Sequence, residues 1–308
     1  MHSLPFDLPG RFWKGNLHTH STVSDGQYDP AEVCRRYEEA GYDFISLTDH
    51  FLPRYGFPIT DTRPYRNENF TTVLGAELHT INVKMELGSI WHILAVGLPT
   101  DFAQTEENET AAQLARRALN AGAFVAAAHP RWYGLTENDL YDLGAVDAIE
   151  VFNGTSVDHN DNADSWAITD VMLGRGARYS CCATDDYHGK AERGDFGLGW
   201  VHVKSTSLEP DALLAALKAG HYYSSTGPQL YEVRLSPERV LTVRCSPANR
   251  IFVTGKSSTA RTAFGNGITS AQFDLSDFPS DFCRVTVRDD RGGRAWSNPI
   301  WFNLINKE

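Results

Sequence analysis

Short apolar runs alternate with helix-like windows over the first two-thirds of the chain. The runs "RFWKGNLH" (11–18), "FISLT" (44–48), "TTVLGAELH" (71–79), "WHILAVG" (91–97), "AFVAAAH" (123–129), "AIEVFN" (148–153), "RYSCCAT" (178–184) and "GWVHVK" (199–204) read as strands. Between them, "DPAEVCRRYEEAG" (29–41) has Asp29 as N-cap, Pro30 at the first helical position and Gly41 as stop, so it predicts a helix. "TEENETAAQLARRALNAG" (105–122), "NADSWAITDVMLGRG" (162–176) and "EPDALLAALKAG" (209–220) read the same way. Strands alternating with helices predict βαβ units, a mainly parallel sheet and a closed or nearly closed barrel.

The pattern changes after "STGPQL". From Tyr231 to Phe302 no good helix is visible, and short alternating runs such as "LTVRCS", "RIFVTG", "SAQFDL" and "CRVTVRD" are separated by Gly, Pro, Asn and Asp. That predicts a small antiparallel β-sandwich domain over 229–308, after an α/β domain over 1–228, with the boundary near Gly227-Pro228. Trp296 and Trp301 read as packing residues within it.

Composition narrows the function classes. The 308 residues carry a net charge of −11, spread along the chain, which excludes general affinity for nucleic acid backbones. No apolar run is long enough to span a membrane, and the N-terminal stretch lacks a basic start followed by an apolar core. No membrane association or secretory signal is expected, and the location expected is cytoplasmic. The five cysteines (Cys34, Cys181, Cys182, Cys245, Cys283) are odd in number and show no CxxC spacing, so they read as small apolar fillers, not as a zinc site.

The candidate chemistry sits at strand ends. The first strand leads into His18, His20 and Asp25; the second into Asp49 and His50; the third carries Glu77 and His79; the fourth opens with His92. The fifth ends at His129, the sixth carries Glu150 and leads to Asn153, and the seventh ends at Asp185, Asp186 and His188. Ligands from successive strand ends converge at one mouth of a barrel. Imidazole and carboxylate without thiolate suit catalytically open sites for Zn, Mn or Fe. His-x-His at 18 and 20 and Asp-x-His at 186 and 188 each put two ligands on one side of an extended chain. A single such pair is commonly structural, but buried histidines and carboxylates each need a partner, and this many at consecutive strand ends point to a shared metal site.

"HTHSTVSDG", "LTDH", "GAEL", "WHILAVG", "AHP" and "DDYH", in this order over roughly 12–228, resemble the PHP (polymerase and histidinol phosphatase) superfamily. The stretches "LLAALKAGHYYSSTGP" and "CRVTVRDDRGGRAWSNPI" resemble a branch of carbaryl-hydrolase-like proteins in which a small β domain follows. The resemblance implies a distorted (β/α)7 barrel and two or three divalent metal ions, usually a trinuclear centre. His18, His20, Glu77 and Asp186 would hold the first metal, Glu77, His92 and His129 the second, and Asp25, His50 and His188 the third. Asp25 stands where some relatives have histidine. His79 shares a strand face with Glu77 and rivals His92; the family pattern, which puts this ligand on the next strand, favours His92. Asp-x-His spacing selects Asp186 over Asp185, while Asp49 and Glu150 read as groups that orient ligands.

The expected activity is phosphoester hydrolysis of a small-molecule substrate by a hydroxide held between metals. Arg131 is the first candidate for gripping phosphate and taking part in catalysis, with Lys190 and Arg193 as further substrate-binding residues and His188 doubling as a leaving-group acid. Two alternatives stand beside it: hydrolysis of a carboxylic or carbamic ester, and a non-enzymatic binding protein acting through the β domain.

Overall fold

The computed structural model describes residues 4–305. Two sheets organise the α/β part. A six-stranded sheet orders His50–Phe51, Gly75–Lys84, Ile90–Val96, Phe124–Ala127, Ala148–Asn153 and Ser180–Thr184. The other sheet contains Thr71–Thr72, Phe44–Ile45, Arg11–Asn16, Trp200–Ser205 and Tyr222–Ser225 in spatial order, then continues through Arg294–Ser297 into the C-terminal strands. The pairing is mixed, not mainly parallel. Gly75–Lys84 and Ile90–Val96 form an antiparallel hairpin, and Ile90–Val96 is also antiparallel to Phe124–Ala127. The five-residue connection 85–89 is too short for a helical crossover, so the strand must return antiparallel.

The run "TTVLGAELH" divides between the two sheets. Thr71–Thr72 belongs to one and Gly75–Lys84 to the other, and the Leu74 carbonyl between them accepts from Gly97 and Leu98. Gly75 is required there: a Cβ would lie 2.6 Å from the Ala95 carbonyl oxygen.

The helix Pro30–Glu39 begins at Asp29, whose side chain accepts from the Glu32 N–H. The next helix runs over Ala111–Asn120, later than its sequence window suggests, because Thr110 and Gln113 form a reciprocal capping box that fixes the start. Trp166–Gly174 and Pro210–Lys218 complete the expected helices. Three short helices, Pro130–Tyr133, Glu137–Leu143 and Thr155–Asn160, were not legible as periodic windows, being too short to show a period. Among the described residues no helix is long and apolar enough to cross a membrane.

Past Gly227 the chain is antiparallel β, except for a short terminal helix, Phe302–Ile305. "LTVRCS" and "RIFVTG" join into one strand, Val240–Thr254, whose register shifts between Arg244 and Arg250. Pro247 sits in that irregularity, where its missing N–H removes no regular ladder bond. This part has its own core of Leu230, Val233, Leu241, Val243, Ile251, Val253, Cys283 and Val285. Trp296 is buried against Phe152 and Trp166, and Trp301 packs on Phe282. All five cysteines are buried free thiols.

Arg284 ties the C-terminal strands to the helix Trp166–Gly174. Its guanidinium donates to both carboxylate oxygens of Asp170, at 2.8 and 2.7 Å, and lies over the Trp166 ring. Arg284→Met keeps the stem but strands the partly exposed Asp170. It should lower unfolding free energy by about 2 kcal/mol, the scale of hydrogen bonds to a charged group. Urea denaturation with an unchanged slope and a lower midpoint is the expected result; an unchanged midpoint would deny the tie any energetic role.

Candidate metal centre

Backbone geometry delivers the side chains to one place. His18 and His20 follow the strand Arg11–Asn16 in extended chain, and both are fully buried. The His20 N–H donates to the Tyr187 carbonyl and the Asn16 side chain accepts from the His18 N–H. The loop that returns Asp25 is held by Asp49, which accepts from the Ser21 N–H and from the hydroxyls of Ser21, Ser24 and Thr60. Gly26 closes that loop; a Cβ there would meet the His20 backbone at 2.7 Å.

Glu77 and His79 lie two apart on one strand and so share a face, and His79 stands directly across from His92 on the neighbouring strand. His129 (φ 28°) and Asp186 (φ 51°) occupy backbone conformations that non-glycine residues rarely adopt. Each costs of order 1–3 kcal/mol, and such strain collects at functional sites.

The centre of the arrangement is Glu77, fully buried. Around Oε1 stand His92 Nδ1 at 2.7 Å, His129 Nε2 at 2.9 Å and His18 Nε2 at 3.6 Å. Around Oε2 stand His50 Nδ1 at 2.5 Å, His79 Nε2 at 3.4 Å and His20 Nε2 at 3.9 Å. Asp186 Oδ1 joins His20 Nε2 (2.9 Å) and His18 Nε2 (3.3 Å). Asp25 Oδ1 lies 3.4 Å from both His50 Nε2 and His188 Nε2. All nine residues implied as ligands by the family resemblance therefore fall within one connected cluster, with His79 as a tenth member.

A ring of polar groups fixes these rings in place. Glu150 accepts from His18 Nδ1, the Thr184 hydroxyl, the His129 N–H and Asn153. Asn153 also donates to Asp186 Oδ2. Asp185 turns away from the cluster: it accepts the N–H groups of Gly197, Leu198 and Gly199 and the Tyr37 hydroxyl. Burial pushes its carboxyl up to about 6, against those donors. Tyr133, whose hydroxyl is 3.0 Å from His92 Nε2, and Asp195, which accepts from the His188 N–H, belong to the same support. Neither could be found from spacing, because Tyr133 reaches the cluster from a four-residue helix and Asp195 from a loop, and neither segment has a periodic signature.

The donor chemistry fits divalent cations. Burial, with His188 and His50 opposite, lowers His20 to about 4, and burial takes His92 well below its ordinary range. Both rings are then neutral at pH 7 and able to offer a lone pair. Burial alone would raise Glu77, but the surrounding imidazoles hold it well below the usual carboxylate range. His18 Nε2, Glu77 Oε2 and Asp25 Oδ1 are buried and have no hydrogen-bond partner. Buried polar atoms left without partners are costly, and a cation between them would satisfy them together.

The proposed substrate-gripping residues lie differently. Arg131 is exposed, and its Nε donates to Asn162. Lys190 Nζ is 3.7 Å from Asp25 Oδ2. Arg193 is half-buried in the same loop. Aromatic rings flank the cluster: Tyr55 stacks over His50, and Trp132 stacks on His159 at 4.4 Å between centroids.

Comparison with solved structures follows this geometry. Over 96% of its length the chain matches 98% of a two-domain protein from Bacteroides vulgatus ATCC 8482 that contains a predicted PHP-like metal-dependent phosphoesterase, with a TM-score of 0.51 and 15% identity. The chain has a PHP-like fold. The PHP-like match spans both the α/β part and the C-terminal strands. Two further likenesses are weaker. A candidate metal-dependent phosphoesterase from Bifidobacterium adolescentis ATCC 15703 covers 57% of this chain and 88% of its own, with 13% identity and a TM-score of 0.43. An amidohydrolase from Chromobacterium violaceum, with bound sulfate and no metal, covers 58% and 89%, with 14% identity and a TM-score of 0.41. No family model and no curated protein sequence matches the chain.

Proposed function

We propose that this chain is a metal-dependent hydrolase of the PHP superfamily acting on phosphate esters. The observation that carries the reading is the buried Glu77 carboxylate, ringed by six imidazoles, with Asp186 and Asp25 beside them. On this reading the two sheets form a distorted (β/α)7 barrel through residue 228, and 229–308 form a β-sandwich unit. His18, His20, Glu77 and Asp186 would hold one divalent ion, Glu77, His92 and His129 a second, and Asp25, His50 and His188 a third. Zn, Mn or Fe bound there would supply a nucleophile at neutral pH and neutralise charge on the reacting ester.

The chain's own groups orient and hold. Glu150 fixes the His18 tautomer by accepting from Nδ1, which leaves Nε2 as the lone-pair donor. His188 Nδ1 donates to the Asp186 carbonyl, so Nε2 is the atom this ring would offer to an ion held beside Asp25. Lys190, beside Asp25, is the cation nearest the third position.

The second reading, an aryl carboxylic or carbamic ester substrate, is favoured by the aromatic rings of Tyr55 and Trp132 at the cluster. Assaying aryl phosphate mono- and diesters beside aryl carboxylic esters separates the two. On the phosphate reading, Arg131→Ala should cost phosphate-ester turnover about 2 kcal/mol of transition-state stabilisation and spare the neutral ester and the metal content. Equal losses on both substrates would remove Arg131 from phosphate binding. Turnover of carboxylic esters alone would replace the phosphoesterase reading.

A further inference from the structure

His79 is the cluster member left without a role by the three ligand sets above. It is fully buried, and its Nε2 lies 2.9 Å from His50 Nδ1 and 3.4 Å from Glu77 Oε2. The His79 and His92 rings meet edge to face across the hairpin at 4.1 Å between centroids. His50, Glu77, His79 and His92 each offer a ligand atom, all within 4.8 Å of one another. Glu77 Oε2, which faces this group, has no hydrogen-bond partner, and neither has His79 Nδ1. The His50–His79 hydrogen bond leaves Glu77 Oε2 and His79 Nδ1 buried without partners, which packing explains poorly.

His50 stands between two groups of donors. Its Nε2 faces Asp25 and His188, while its Nδ1 faces Glu77 and His79. A neutral imidazole has one lone pair and one N–H, so it can ligate an ion on one side only. We propose that His79 is a metal ligand: with Glu77, His92 and His50 Nδ1 it forms an alternative cation position that competes with the Asp25–His50–His188 position for the His50 ring and draws His92 from the second position, which keeps Glu77 and His129. The inference rests on the reading that the cluster binds divalent metal. The two positions differ in chemistry. Three imidazoles and one carboxylate suit a borderline ion such as Zn2+, whereas the aspartate-containing position leans toward harder ions such as Mn2+. The identity of the metal supplied would then decide which side of His50 is filled.

The test is the Zn2+ stoichiometry of metal-free protein, measured by equilibrium dialysis and elemental analysis, for wild type, Asp25→Ala, His79→Ala and the double variant. Asp25 is on a partly exposed loop, so its removal leaves the core untouched. The proposal expects each single variant to bind as many Zn2+ ions as wild type, because the other position remains, and the double variant to bind one fewer. One ion lost from Asp25→Ala alone, or none lost from the double variant, overturns it. Should the buried His79 substitution impair folding, long-range 1H–15N spectra of Asp25→Ala protein serve instead. A His79 ring signal shifted by Zn2+ supports the assignment, and an unmoved one overturns it. Wild type that binds no Zn2+, Mn2+ or Fe2+ at all would sink the metal reading itself, a result distinct from either.

Discussion

Glu77→Gln should leave a folded protein that has lost several orders of magnitude of turnover. The amide has nearly the shape of the carboxylate but not its charge, and that charge is what six imidazoles and the implied cations share. A ligand that would serve two ions at once has no substitute among its neighbours, because Asp186 is already engaged with His18 and His20. Metal affinity should fall with activity, because the remaining donors are imidazoles that bind less tightly without a shared anion. Stability should fall in the metal-free protein, since the carboxylate that the surrounding imidazoles hold in its charged form is removed and their partner is lost. Activity assays and metal analysis of the same sample check this. Near-normal turnover with full metal content would show that Glu77 is not the shared ligand.

The second large effect separates two adjacent aspartates. Asp186→Asn should cost activity on the order of a hundredfold or more, the upper range for disturbing a metal site, while the protein stays folded. Asparagine tolerates the positive φ found at 186, so the backbone is not the casualty. Asp185→Asn should behave differently. Asp185 accepts three consecutive backbone N–H groups, from Gly197 to Gly199, and the asparagine amide cannot accept them all. Its loss should appear as a lower melting temperature with metal content retained. Thermal denaturation and elemental analysis on both variants make the comparison; the reverse pattern would exchange the two roles.

The cluster of candidate ligands was legible because metal chemistry restricts residue type. Histidine and carboxylate recurring at strand ends is a pattern that packing does not generate, and His18, His20, Glu77, His92, His129 and Asp186 could be marked without knowing the sheet. His79 was visible only as a rival to His92. Strand alternation puts it on Glu77's face, but only the antiparallel register, His79 opposite His92, shows that both point into the cluster together. That register depends on a hairpin which the reading of a mainly parallel sheet did not contain. The surroundings of the proposed substrate-gripping residues were the least legible. A cation after a strand end starts near the cluster, yet side-chain direction is set by loop partners: Arg131 reaches Asn162 and Lys190 reaches Asp25. In the C-terminal strands, Pro247 read as a break, whereas a register shift lets the strand continue through it.

The central claim is that Glu77 and its neighbours bind divalent metal. It is tested most directly by elemental analysis of protein purified without chelator and supplied with Mn, Fe and Zn. Two or three ions per chain, released together with activity by a chelator and restored on readdition, is the predicted result. One ion or none, in folded protein, would contradict it.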